Sequence, residues 1–426
     1  MHKVQQAESR ERAILAGLNC RDGGEVSTDS TMDELEALLE TAQGEAVLRI
    51  IQNRAAPDPA TFIGEGKAEE IKRLCELHEV DLVVFDNELS PSQTRSLERE
   101  LGARVIDRSL LILDIFADRA RTHEGRVQVE MARYKYILPR LAGLGLSLSR
   151  QGGGGVGVRS SRGGGETKLE TDRRHIRRRI EKLASELEGI RHIRELARDR
   201  REKNETPVVS LVGYTNAGKS TLFNALANEN IPARDRLFDT LDTTSRAVEV
   251  DGALTVMLTD TVGFIRKLPH HLVEAFRATL DELKYADLLL HVIDASNPEW
   301  EEQAEVVDAL IDELGAGDTP RLRVYNKADL TAFRGSDGAA VSAKTGFGLD
   351  GLKQRITGLI DTGIREVELL LPYSEAGLLD IMHREGDVKS VVYGEDGIAV
   401  TAACDRRVYG QVKQITEYRV QITDNG

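Results

Sequence analysis

The residues Gly213-Tyr214-Thr215-Asn216-Ala217-Gly218-Lys219-Ser220 fit the phosphate-loop pattern G-x-x-x-x-G-K-[ST]. Glycines let such a loop curl so that successive N–H groups and a helix N-terminus converge on phosphate oxygens. Lys219 would neutralise the β- and γ-phosphates, Ser220 would hold Mg²⁺, and Thr221 follows within reach of the same phosphates. Further along, Asp260-Thr261-Val262-Gly263 ends an apolar run. There a carboxylate reaches Mg²⁺ through water and the Gly263 N–H can meet a γ-phosphate. Asn326-Lys327-Ala328-Asp329 offers a carboxylate to a base with two neighbouring N–H donors, which guanine has and adenine lacks. Ser342-Ala343-Lys344 can add a backbone N–H for the guanine oxygen.

These fragments need strand ends to hold them. Pro207-Val-Val-Ser-Leu-Val-Gly213 reads as a buried strand and Ser220-Thr-Leu-Phe-Asn-Ala-Leu-Ala227 as the helix after the loop. Ala253–Thr259 and Arg321–Tyr325 are strands that deliver the second and third motifs. Each fragment alone is a common turn; all four in this order are specific. Residues 207–361 resemble a Ras-like GTPase domain, which implies GTP and GDP with Mg²⁺ as ligands.

Length predicts roughly two to four domains. No window approaches the ~18 consecutive apolar residues of a transmembrane helix, and the first residues lack the apolar core of a signal peptide. Cys20, Cys75 and Cys404 are scattered, so neither a disulfide framework nor a zinc site is expected. A soluble, cytoplasmic protein is expected. The net charge is −14, with 15 Lys among 57 basic residues. Such an acidic, Lys-poor composition suits a salt-loaded cytoplasm or follows from a GC-rich coding bias.

The charge is uneven. Residues 119–203 carry 22 basic against 11 acidic residues, a local +11. Two helical arms are expected there, Arg121 to about Leu146 and Glu166 to Lys203, with apolar stripes through Val127, Met131, Tyr134 and Leu138 and through Ile176, Ile180, Leu183 and Leu187. The glycine-rich run Gln151–Gly165 between them, with Arg159 and Arg162, makes an antiparallel hairpin the simplest arrangement. Packing the stripes leaves Arg173, Arg174, Arg177, Arg178 and Arg179 outward. A cationic arm on an acidic protein points to a polyanion, and the loop's lack of aromatic residues favours folded RNA over single strands or DNA.

Upstream, strands at Ala13–Ala16, Ala46–Ile51, Asp81–Phe85 and Arg104–Ile106 alternate with helices opening near Thr31, Gly66 and Ser90. This βαβαβαβ order predicts a small parallel α/β domain. Residues 362–426 predict a small α+β element with strands Glu366–Leu371, Lys389–Tyr393 and Ile398–Ala403 and a helix Glu375–His383. The expected architecture is therefore multidomain α/β: an N-terminal domain over 1–120, a hairpin arm over 121–205, a Ras-like domain over 206–361 and a C-terminal element over 362–426.

Several stretches together resemble the HflX family: Gly64-Glu-Gly-Lys67, Asp86-Asn-Glu-Leu-Ser-Pro-Ser-Gln93, Val105-Ile-Asp-Arg108, Ile112-Leu-Asp-Ile-Phe116 and Gly165-Glu-Thr-Lys-Leu-Glu-Thr-Asp-Arg-Arg174, besides the GTPase motifs. The resemblance covers nearly the whole chain. It implies a GTPase that binds the large ribosomal subunit and helps split or rescue stalled ribosomes, as a monomer, with the glycine loop probing ribosomal RNA. A role in subunit assembly or RNA maturation, or a GTP-gated RNA-binding module, are the competing expectations. The family's Leu-Asp-Pro-Thr reads here Leu241-Asp242-Thr243-Thr244, which places the Mg²⁺-sensing hydroxyl on Thr244. The run Ser160-Ser-Arg-Gly-Gly-Gly165 replaces the family's shorter Gly-Pro-Gly.

Lys219, Thr244 and Gly263 are the expected catalytic residues. The residue after Gly263 is Phe264, where Ras-type enzymes carry a water-orienting Gln. Slow intrinsic hydrolysis raised by a partner is expected. Asn216 sits where potassium-activated GTPases with a similar loop place a cation ligand, so K⁺ is a candidate further cofactor. The plainer reading is that Asn216 shapes the loop through a hydrogen bond to the backbone.

Overall fold

A computed structural model describes residues 10–20, 28–141, 164–203, 206–228, 237–238, 240–241, 243–250, 254–269, 272, 280–332, 337–360, 365–385, 387–394, 397–404 and 420–422. The chain opens with four strands, β1 (Arg12–Cys20), β2 (Glu45–Arg54), β3 (Leu82–Phe85) and β4 (Arg104–Asp107), all parallel in the order β2-β1-β3-β4. Helices α1 (Asp29–Thr41), α2 (Glu65–His78) and α3 (Pro91–Leu101) cross between them. The expected βαβαβαβ order is found.

Local chemistry sets the helix ends. Thr28 and Ser90 each close a capping box with the residue three positions on, and Pro91 follows Ser90 in the first turn. In this domain one helix goes beyond the sequence expectation, α4 (Arg108–Arg119). It starts the moment β4 ends, with Asp107 as its N-cap accepting from the Leu110 N–H. Its six buried apolar or small residues besides Arg108 face two sides, which blurs the period that would announce it.

The sheet is covered on both faces. On one, Ile14, Val83, Phe85, Ile71 and Leu97 form a closed core. On the other, Leu15, Val84, Ile112 and Phe116 join a cluster that runs on into Phe238, Phe264, Leu283 and Val307 of the GTPase domain. The two domains therefore share a buried apolar seam.

Helix α5 (His123–Ile137), capped by Thr122 and ending in a 3₁₀ turn at Leu138–Arg140, begins the arm. The long helix Gly164–Lys203 returns along it. Leu183 is buried between Val127 and Met131, with Tyr134, Ile180 and Leu187 beside them. The pairs His123–Glu186 (2.7 Å) and Arg179–Glu130 (2.8 Å) run in opposite senses, so the helices are antiparallel. The sequence extends the outgoing helix to Leu146; residues 142–163, with Arg159 and Arg162, lie outside the described residues.

Six strands form the GTPase sheet: β5 (Val208–Gly213), β6 (Thr244–Val250), β7 (Leu254–Asp260), β8 (Leu288–Asp294), β9 (Arg321–Asn326) and β10 (Gly338–Ala340), in the order β10-β9-β8-β5-β7-β6. Only β6 runs antiparallel. The C-terminal element is an antiparallel sheet, β12-β13-β11-β14, of β11 (Arg365–Leu371), β12 (Asp387–Gly394), β13 (Gly397–Cys404) and β14 (Val420–Ile422). The helix Gly377–Glu385 packs on it through buried Leu378, Leu379 and Met382. The short strand β14 adds to the three that the sequence predicts. Among the described residues no helix is long and apolar enough to cross a membrane.

Candidate nucleotide site

The site lies where parallel strands β5, β7, β8 and β9 release their C-terminal ends. Gly213 closes β5, and the loop turns through Asn216 and Gly218, both with positive φ, into the helix Lys219–Ala227. At Gly218, φ is +91° and an added Cβ would lie 2.3 Å from the Asn326 Nδ2. Only glycine permits the guanine motif to touch the phosphate loop there. Asn326 uses that closeness: its Nδ2 donates to the Ala217 carbonyl (2.9 Å), and its Oδ1 accepts from the Ala343 N–H (3.0 Å). One side chain thus ties three expected motifs together.

Lys219 is buried, and its ammonium donates to the Gly213 (3.0 Å) and Tyr214 (2.7 Å) carbonyls. Burial pulls its pKa down to about 8, opposed by Asp260. The Asp260 carboxyl is pushed the other way by burial, while the Ser220 and Thr240 hydroxyls and the Lys219 charge favour its ionised form.

The candidate metal site is built from oxygens. The Ser220 Oγ donates to the Asp260 Oδ2 (2.7 Å) and lies 2.7 Å from the Thr240 Oγ1. The second carboxylate oxygen, Asp260 Oδ1, is buried with no hydrogen-bond partner among the described residues. An unsatisfied buried carboxylate oxygen beside two hydroxyls is a hard-oxygen set that fits Mg²⁺. Thr244, expected to supply the second hydroxyl, instead opens β6 and pairs through the sheet with Asp260. The chain enters β6 at that point, so the loop hydroxyl that reaches the site comes from four residues earlier, Thr240. The sequence holds a signal for it in Thr240 itself, lost beside the more familiar Thr243-Thr244 pair.

Gly263 closes over the loop: a Cβ there would meet the Thr215 Cγ2 at 2.8 Å and the Lys219 Nζ at 3.0 Å. Tyr214 and Phe264 form a one-residue parallel bridge, with the Phe264 N–H donating to the Gly213 carbonyl (3.1 Å) and the Thr215 N–H to the Phe264 carbonyl (2.7 Å). Phe264 is buried with Phe116, Phe238, Leu268 and Leu272 and has no polar atom to orient water. Thr261 is fixed by its hydroxyl on the Leu211 carbonyl (2.6 Å), and Val262 is buried.

At the base end, Lys327 pairs with Asp294 (2.7 Å) and Asp329 is exposed on an open groove lined by Ala328, Leu330, Thr345 and Phe347. The Ser342 hydroxyl, foremost, holds the Asp329 carboxyl below its usual range. Lys344 is exposed beside it. Thr221 lies in the first turn of the helix after the loop. Asn216 is exposed, and among the described residues its side chain makes no hydrogen bond to the loop backbone.

Comparison with known proteins places the chain in a family. Three family models match in succession: "GTP-binding GTPase N-terminal" over residues 29–117, "GTP-binding GTPase Middle Region" over 119–201 and "50S ribosome-binding GTPase" over 208–327. GTPase HflX of Caldanaerobacter subterraneus subsp. tengcongensis is 47% identical, covering 93% of this chain and 91% of its own. GTPase HflX of Escherichia coli strain K12 is 44% identical over 86% of this chain and 87% of its own. The chain belongs to the HflX family of GTPases. As an HflX-family protein it is a GTP hydrolase with an α/β fold. A crystal structure of a GTP-binding protein from Sulfolobus solfataricus in complex with GDP is 28% identical, with a TM-score of 0.43, over 82% of this chain and 98% of that one.

Proposed function

We propose that this HflX-family GTPase acts on the large ribosomal subunit, splitting or rescuing ribosomes, with its basic arm against ribosomal RNA. The observation that carries the reading is the outer face of the long arm helix. Arg174, Arg177 and Arg178 are exposed, with Arg173 partly so, while Leu183 pins the opposite face to α5. A rigid row of guanidinium groups on an acidic chain suits phosphate contact. The family model over residues 208–327 carries "50S ribosome-binding" in its description, which supports the same partner.

The site residues take these roles. Lys219, freed from the loop carbonyls, meets the β- and γ-phosphates, and the loop N–H groups from Asn216 to Ser220 surround them. Ser220, Thr240 and Asp260 hold Mg²⁺, which when bound neutralises phosphate charge. The Gly263 N–H faces the γ-phosphate position. Asp329 receives the guanine N–H donors. Phe264 cannot orient water, so positioning and charge must supply the rate, and intrinsic hydrolysis is slow until a partner completes the site. Asn216, unused by the loop itself, is available to a K⁺ ion beside the phosphates.

The test is sedimentation with 70S ribosomes and isolated subunits. Co-migration with the 50S fraction, strengthened by a non-hydrolysable GTP analogue, is expected. Binding only to precursor subunits would favour an assembly role instead.

A further inference from the structure

The N-terminal domain reaches the GTPase motifs at the backbone of one residue, Arg266. The Arg266 N–H, three residues beyond Gly263, donates to the Tyr214 hydroxyl (2.8 Å). Its carbonyl accepts from the Arg108 Nη1 (3.0 Å). Tyr214 belongs to the phosphate loop and Arg108 to the start of α4, yet both end on one carboxylate. The Tyr214 hydroxyl donates to the Glu34 Oε1, and the Arg108 Nη1 donates to the Glu34 Oε2 (2.8 Å).

The ring is closed and buried. Arg108 is 2% exposed and Glu34 12%. Arg108 also pairs with fully buried Asp86 (3.0 Å) and donates to the Thr31 carbonyl (3.0 Å). Asp86 in turn takes the next residue after Arg266, Lys267, at 2.5 Å. Burial and the Glu34 carboxylate push the Tyr214 hydroxyl's pKa up, so it stays a donor. Buried, mutually satisfied polar groups of this kind fix geometry more than they add stability.

We infer that Tyr214, Glu34 and Arg108 are positioning residues for GTP hydrolysis: together they hold the Arg266 backbone at its N–H and at its carbonyl and so set where Gly263 lies over the phosphate loop. Two of the three come from outside the GTPase domain, so the switch is incomplete without α1 and α4. This inference rests on the proposed function, in which Gly263 meets the γ-phosphate. Between Gly263 and Arg266 only Phe264 and Ile265 intervene, both buried, so slack at Arg266 passes to Gly263. A donor displaced by a fraction of an ångström from the transferring phosphoryl group loses much of its effect. Phe264 brings no polar atom to make up the loss.

Full-length Tyr214→Phe removes one oxygen and leaves the ring packed. It is expected to lower kcat about tenfold, to reduce the preference for a non-hydrolysable GTP analogue over GDP about fivefold, and to leave GDP affinity within twofold. Glu34→Ala should do the same, Glu34→Gln, whose one amide oxygen can still accept from Tyr214 or Arg108 but not from both, should recover part of the loss, and the Tyr214→Phe/Glu34→Ala double variant should be no slower than the slower single. Thermal unfolding of each variant with GDP identifies any that fails to fold; Tyr214→Phe with Glu34→Gln then carries the test. Unchanged or raised kcat in Tyr214→Phe, or multiplicative losses in the double variant, would overturn the proposal. If the unsubstituted protein itself fails to prefer GTP to ATP, the site assignment has failed instead.

Discussion

The hydroxyls of Ser220 and Thr240 stand 2.7 Å apart, and the Ser220 hydroxyl also meets the Asp260 carboxylate. A residue of the segment leading into β6 and one of the phosphate loop thus share a single oxygen-lined point. Thr240→Ala is expected to raise the Mg²⁺ concentration needed for half-maximal binding of a GTP analogue about tenfold, on the scale of one lost hard-oxygen partner. Thr244→Ala, at the start of β6, should leave it near the original value. Titration of Mg²⁺ against fluorescent-nucleotide binding separates the two, and the reverse order would return the hydroxyl to Thr244.

The proposed base choice rests on Asp329, whose carboxyl the Ser342 hydroxyl meets. Asp329→Asn should weaken GTP by about 10²-fold and improve xanthosine triphosphate binding, because the amide now offers a donor where guanine also donates. Equilibrium competition between the two nucleotides reads this directly. Equal binding of ATP and GTP by the unaltered protein would remove Asp329 from this role.

Replacing Arg173, Arg174, Arg177 and Arg178 together with Gln should abolish co-sedimentation with ribosomes and leave GDP affinity unchanged. Binding should fall steeply with salt in the parent and less steeply in partial replacements. Full retention of ribosome binding would make these arginines a solvated face.

Potassium should accelerate hydrolysis over sodium at equal ionic strength, and Asn216→Ala should erase the difference. Initial phosphate-release rates in the two salts decide it, and equal rates would show that the absent Gln is compensated in another way.

The arm has its own core. Leu183→Ala opens a cavity between Val127 and Met131 and should cost about 2–4 kcal/mol of the hairpin's packing. Loss of protection in amide exchange confined to 123–141 and 170–193 is the expected signature, with the GTPase sheet unaffected.

Much of this molecule is legible in its sequence. Strands β1 to β4 are short apolar runs between turn residues, and the phosphate loop and guanine motif announce themselves by spacing. Helix α4 escapes such reading because it begins with no break after β4 and is buried on more than one side. Thr240 escapes it because the segment before β6 approaches Ser220 through tertiary geometry rather than through a fixed interval from the phosphate loop. The ring through Glu34, Arg108, Tyr214 and Arg266 bonds partners as far as 180 residues apart, and each member alone reads as an ordinary polar residue. Sequence spacing has no means of bringing such partners together.

Asp107 and Arg108 are consecutive, and they bond two different parts of the chain. Asp107 takes the Tyr136 hydroxyl (2.9 Å), the Leu89 N–H (3.2 Å) and Arg140 (3.3 Å) at the foot of the arm, while Arg108 holds the switch backbone. One peptide unit is therefore the fulcrum of two levers. A substitution that shifts the start of α4 is therefore expected to disturb both the foot of the arm and the Arg266 backbone.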